Sequence, residues 1–181
     1  MSTALVISRP SGGVSLFQPG AIDKYFQSHR SFGYTPSAEI SVLKAFKRLA
    51  VNQGWNDKRR KQEKERFQAA VDTEFTARVG SGFALSDWQR LAKVIGIEPL
   101  PQTITQCRKT IKKENINIYH ILHAYRRATE MKDINNIEAC KDIQRFKSVG
   151  ELRRYTHAHN MFYRKEFAKG SVLKGLLKQL R

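Results

Sequence analysis

The side chains best suited to chemistry by type and spacing are histidines. His120 and His123 form an H-x-x-H pair, and His157 and His159 an H-x-H pair. Together with a thiol such as Cys107, these are the donor types of a zinc site. The spacings are not those of the recurring zinc frameworks. INIYHILHAYRR reads as one amphipathic helix on which one imidazole packs inward and the other meets water. No metal and no other cofactor is expected. Cys107 and Cys140 form neither a CxxC pair nor a disulfide framework, and read as buried free thiols. The chain also lacks a GxSxG elbow, a glycine-rich phosphate loop, an HExxH helix and a paired-carboxylate arrangement. Its few acids fall mostly at helix-surface positions, so it is not expected to be an enzyme.

What remains is electrostatic. Thirty-three Lys and Arg stand against sixteen Asp and Glu, a net charge of +17 over 181 residues. Such a charge repels itself in the folded state and favours a counter-charged partner. Nucleic acid is the first class of partner, DNA before RNA, and a helical module recruiting acidic proteins is the alternative. No apolar run approaches the roughly 18–20 residues of a membrane span, so no membrane partner is expected.

The densest cationic stretch is WNDKRRKQEKERF, where Lys58, Arg59, Arg60, Lys61, Lys64 and Arg66 are answered by Glu63 and Glu65 alone. Its KRRK also suits a nuclear import signal. The N-terminal MSTALVISRPSGGVSLF lacks the pattern of a secretory leader. The expected location is nuclear, or else cytoplasmic. The apolar stripe of Phe67, Ala70, Val71 and Phe75, continued backward, lands on Arg60, Glu63 and Lys64. None of these suits an apolar core, so the first two turns are expected to project as a basic arm. In the C-terminal third, Arg153, Arg154, Arg164 and Lys165 interleave with Tyr155, Phe162, Tyr163 and Phe167. Aromatics so placed serve a core or stack on unpaired bases.

Residues 85–114, LSDWQRLAKVIGIEPLPQTITQCRKTIKKE, resemble the helix-turn-helix of DNA-binding domains. Leu91-Ala92 lie in the first helix, Gly96-Ile97 at its end, and Thr103-Ile104-Thr105 at the start of the second. Ala92 allows close approach and Gly96 supplies the positive φ that turns the chain. Ile104, Cys107 and Ile111 form the buried stripe of the second helix. Its outer arc carries Thr103, Thr105, Gln106 and Lys109 as base-facing candidates, with Arg108, Lys112 and Lys113 set to meet phosphate. Lys58, Arg59, Arg60, Lys61, Arg153 and Arg154 complete the candidate nucleic-acid contacts. The turn EPLPQ is about two residues longer than in the common form of the motif.

At whole-chain scale, Gly54-Trp55, Glu74-Phe75, Trp88-Gln89, Gly96-Ile97, Gln106-Cys107-Arg108 and Asn117-Ile118 resemble a family of small proteins from filamentous ascomycete fungi. That resemblance implies a eukaryotic intracellular setting and no particular activity.

The elements that must position these residues read as helix after helix. Residues 1–20 form an N-terminal arm, a hairpin or flexible, and 21–181 a single all-α domain. Helices are expected at 21–29, from Ser37 to Gly54 with a stripe of Ile40, Leu43, Phe46, Leu49 and Ala50, and from Asn56 or Asp57 to Val79. SDWQ (86–89), TITQ (103–106) and SVGE (148–151) read as capping boxes that open three more. Asn117 caps INIYHILHAYRRATE, and Ser171 caps a terminal helix.

Overall fold

The computed structural model describes residues 19–36, 41–130, 143–163 and Leu176. The structure is all-α, as the periodicity predicts. Among the described residues it has α1 (Ala21–Gln27), α2 (Val42–Asn52), α3 (Asp57–Val79), α4 (Leu85–Ile95), α5 (Ile104–Ile111), α6 (Ile118–Glu130) and α7 (Val149–His159), with a 3-10 turn at Arg30–Phe32. Among the described residues, extended pairing is limited to one antiparallel bridge between Ile116 and Arg145. Residues 1–18 of the N-terminal arm, Ser37, Ile40, Cys140, Arg164, Lys165, Phe167 and Ser171 lie outside the described residues.

One apolar cluster runs through all the helices from α1 to α6. Ile22, Tyr25 and Phe26 of α1 lie on the Phe67 and Val71 face of α3, and Phe46 of α2 stacks on Phe67 with ring centroids 4.8 Å apart. Trp88, Leu91, Ala92 and Ile95 are the buried stripe of α4, and Cys107 and Ile111 that of α5. α6 buries Ile118, Tyr119, Ile121 and Leu122.

Three helix starts follow local chemistry, whereas α2 begins at Val42 after Ser41, whose side chain makes no capping bond, and one expected capping box is an exception. Asn56 Oδ1 accepts from Arg59 N at 2.8 Å to open α3. Thr103 Oγ1 accepts from Gln106 N at 3.2 Å, and Ser148 Oγ from Glu151 N at 3.1 Å. The N3 side chains of these two helices reach one residue further back than a capping box requires, Gln106 to Gln102 N and Glu151 to Lys147 N. The exception is SDWQ. α4 begins at Leu85, so Ser86 is already inside the helix and caps nothing. Gln89 instead donates from Nε2 to the Pro101 carbonyl at 2.9 Å, and Asp87 Oδ2 accepts from Gly82 N at 3.0 Å. Those two bonds tie down the loops on either side of α4.

The start of α3 is exposed over residues 57–62 but anchored in its second turn. Glu63 is fully buried. Its carboxylate accepts from Arg59 Nη2 at 2.7 Å, Arg66 Nη1 at 3.0 Å and the Tyr25 hydroxyl at 3.2 Å. A carboxylate neutralised by two guanidiniums and satisfied by a phenol can sit under α1, which the apolar stripe alone does not reveal.

Most described acids lie at the surface, but two more do not. Asp23 and Glu74 are also buried, and both meet the buried guanidinium of Arg126. Arg126 Nη2 donates to Asp23 Oδ1 at 2.7 Å and Nη1 to Glu74 Oε1 at 2.8 Å. Arg78 adds a bond from Nη2 to Glu74 Oε1 at 2.9 Å, and Ile22 N donates to Glu74 Oε2 at 2.9 Å. This ionic knot pins α1, α3 and α6 together inside the apolar cluster.

Candidate nucleic-acid interface

α5 is the element the sequence designates as the reader. Its buried edge, Cys107 and Ile111, holds it against the core. Thr103, Thr105, Gln106, Arg108, Lys109, Lys112 and Lys113 are all exposed. Burial also raises the Cys107 thiol pKa, and its S–H points to the Pro101 carbonyl at 3.8 Å, so it behaves as an inert apolar filler. Among the described residues, no group of three His, Cys, Asp or Glu side chains is placed to hold a metal ion.

Gly96, with φ 76°, ends α4, and Ile97 N closes the turn on the Ala92 carbonyl at 2.9 Å. The next helix begins at Ile104 after a loop that contains a cis Glu98–Pro99 bond and is fastened to α4 by Gln89. Thr103 and Gln106 use their acceptor oxygens to cap α5. Bidentate reading of adenine needs both the oxygen and the nitrogen of a glutamine amide. One lone pair of the Gln106 Oε1 is thus held by the Gln102 N–H, which limits the orientations in which this side chain could read a base edge. Thr105 and the cations carry no such obligation.

Trp88 connects this face to a second feature. Its indole N–H donates to the Gly82 carbonyl at 2.9 Å, and the Arg108 guanidinium lies 4.9 Å from its ring centroid. The Gly80–Gly82 loop is thus held, and the next residue, Phe83, is 83% exposed. An exposed phenylalanine on a fastened loop, linked through one tryptophan to a cationic helix, offers a stacking surface beside charge. Phe83 belongs to none of the motifs above. Its signal in the sequence is a large apolar residue between a glycine pair and a helix start, outside any apolar stripe.

The other candidates lie elsewhere. Lys58, Arg59, Arg60 and Lys61 are exposed on the first turns of α3. Arg59 is engaged by Glu63, and Arg60 is 3.8 Å from the exposed Asp57. α4 is fastened at the opposite end of α3, where Arg90 Nη1 donates to the Arg78 carbonyl at 3.3 Å. Along the α3 axis that is roughly 25–30 Å from the Lys58–Lys61 cluster. Arg153 and Arg154 are exposed on α7, which docks on α6 through Thr156 Oγ1, the acceptor of Asn117 Nδ2 at 3.0 Å. Tyr163 and Tyr155 both join the packing, Tyr163 buried and Tyr155 half-buried, while Phe162 remains on the surface. The α5 candidates therefore share one face, and the α3 and α7 groups are carried on other elements.

The distribution of charge sharpens this picture. Asp23, Glu63 and Glu74 face inward, so the outer surface is less compensated than the net charge alone implies. Arg108, Lys109, Lys112 and Lys113 make no ion pair among the described residues. No described helix is long and apolar enough to cross a membrane. No family model, curated protein or solved structure matches the chain.

Proposed function

We propose that the protein binds nucleic acid, with the outer face of α5 as its principal contact and DNA as its first ligand. The observation that carries this reading is the cationic set Arg108, Lys109, Lys112 and Lys113, on one exposed helix face and without an ion pair among the described residues. These side chains would neutralise phosphates and release counterions. Thr105 is left free to meet base edges, and Phe83 stands beside the face to stack on any unpaired base. Lys58, Arg59, Arg60 and Lys61, with Arg153 and Arg154, would add affinity from other faces without reading sequence. Nuclear residence through the Lys58–Lys61 cluster belongs to the same reading.

A labelled duplex titrated at about 50 mM and about 200 mM salt tests it. Four phosphate contacts from α5 predict a slope of log affinity against log salt of roughly −3 to −4. Absence of duplex binding at the lower salt would refute the reading.

A further inference from the structure

A cavity of about 840 Å³ opens between α2, α6 and α7. Its walls carry Lys44 and Lys47 from α2, His120, His123 and Arg127 from α6, and His159 from α7. The two lysines are one helical turn apart, and the three α6 residues follow at i, i+3 and i+7, so each set forms one stripe facing the same space. Leu43 and Met161 supply apolar lining. No Asp or Glu lines the cavity among the described residues. Lys44, Lys47 and Arg127 make no ion pair among them either.

Three permanent cations on two helices therefore converge on a concave space with no carboxylate against them among the described residues. Elsewhere in this molecule, buried or half-buried guanidiniums are matched by carboxylates, as Arg126 and Arg78 are. The imidazole wall is built as well. His120 Nε2 lies 3.1 Å from the Tyr155 hydroxyl, and the Tyr155 and His159 rings stack at 4.0 Å. That arrangement holds two imidazole rings and a phenol in place beside the lysines. A volume of this size exceeds what one inorganic ion needs and falls in the range of small-molecule sites.

We infer that this cavity binds a nucleoside phosphomonoester, its phosphate held by Lys44, Lys47 and Arg127 and its nucleoside against Leu43, Met161 and the His120–Tyr155–His159 wall. A phosphate dianion is complementary to these three cations, and charge-assisted hydrogen bonds from lysine and arginine are its usual partners. The same chemistry is offered by a free nucleotide and by the 5′ end of a strand. The site does not rest on the α5 reading.

Calorimetric titration of the full chain with adenosine 5′-monophosphate and with adenosine is the test. The monophosphate is expected to bind saturably and at least about tenfold more tightly than the nucleoside, as loss of charge-assisted bonds predicts. The Lys44→Gln/Lys47→Gln variant, which alters exposed side chains, is expected to lose that advantage while melting at the wild-type temperature. Arg127→Gln is the second variant should the first melt early. The Lys109→Glu/Lys112→Glu variant is expected to weaken duplex binding and leave the monophosphate isotherm unchanged, which separates the two sites. Equal binding of monophosphate and nucleoside, or an isotherm indifferent to Lys44, Lys47 and Arg127, would overturn the inference. A short single strand with and without a 5′ phosphate identifies the source. A preference for the phosphorylated strand that Lys44→Gln/Lys47→Gln abolishes assigns the site to strand ends, and monophosphate binding without that preference assigns it to free nucleotide.

Discussion

Arg126 has two buried carboxylates as its obligations, and neither is close to water. Removing its charge leaves Asp23 with only the Tyr34 hydroxyl and the Gly20 N–H, while Glu74 retains Arg78. Arg126→Met is therefore expected to cost about 3–5 kcal/mol, the scale of a broken buried pair, read as a lower urea midpoint. Two imidazoles set a pH dependence. Burial lowers the pKa of His29, with Glu63 pulling it upward and Arg59 and Arg66 adding to the decrease. Burial likewise lowers that of His120, which faces Tyr155 and His159. The unfolded chain then binds protons more readily, so stability is full at neutral pH and declines as pH falls below about 6.5. Melting temperatures at about pH 7.5 and about pH 5.5 check this, and a His29→Gln/His120→Gln variant is expected to flatten the decline. At this scale the sequence was partly legible. The stripe through Phe67, continued backward, lands on Glu63, but the expectation that this residue could not pack is wrong. What it could not disclose is that Arg59, Arg66 and Tyr25 converge there, because Tyr25 arrives from another helix.

Helices, caps and stops are local, and they were the most readable part of the chain. The apolar stripes of α2, α3, α4 and α5 and the glycine stops at Gly54, Gly80 and Gly96 follow from spacing and from positive φ alone. SDWQ misled because the same four residues satisfy a cap in sequence while Leu85 has already begun the helix, freeing Gln89 for Pro101. That bond crosses a loop and has no local signature. Gly80 is the sharpest element-scale position. Its φ is 106°, and a Cβ there would collide with the Asp87 carboxylate that accepts from Gly82 N. Gly80→Ala is expected to destabilise by roughly 1–3 kcal/mol through that strain, lowering the denaturation midpoint with an unchanged m-value. It should also loosen the loop that presents Phe83. The cationic cavity was invisible for the opposite reason. Lys44, Lys47 and Arg127 look like ordinary helix-surface cations until α2, α6 and α7 are brought together.

For the molecule as a whole, the inward placement of Asp23, Glu63 and Glu74 leaves the exterior dominated by Lys and Arg. The candidate contacts were legible as types and as members of one helix face on α5. Their division among α5, α3 and α7 was not, since it depends on α4 being fastened at the far end of α3. That division makes a prediction about titrations. Lys109→Glu/Lys112→Glu should reduce the salt slope of duplex binding by about two, one for each phosphate no longer neutralised. Lys58→Gln/Lys61→Gln, on side chains outside any described ion pair, should lower affinity without altering preference among sequences.

The ionic knot also has a consequence in time. Asp23 and Arg126 are 103 positions apart, and Glu74 and Arg126 are 52. At ribosomal speeds of about 5–20 residues per second, α1 waits some 5–20 s after leaving the peptidyl-transferase centre for the guanidinium that makes its burial tolerable. The first three helices carry two buried carboxylates, Asp23 and Glu74, whose Arg126 partner has not yet been made. Folding of α1 and α3 into their final packing is therefore expected to complete only after α6 has emerged.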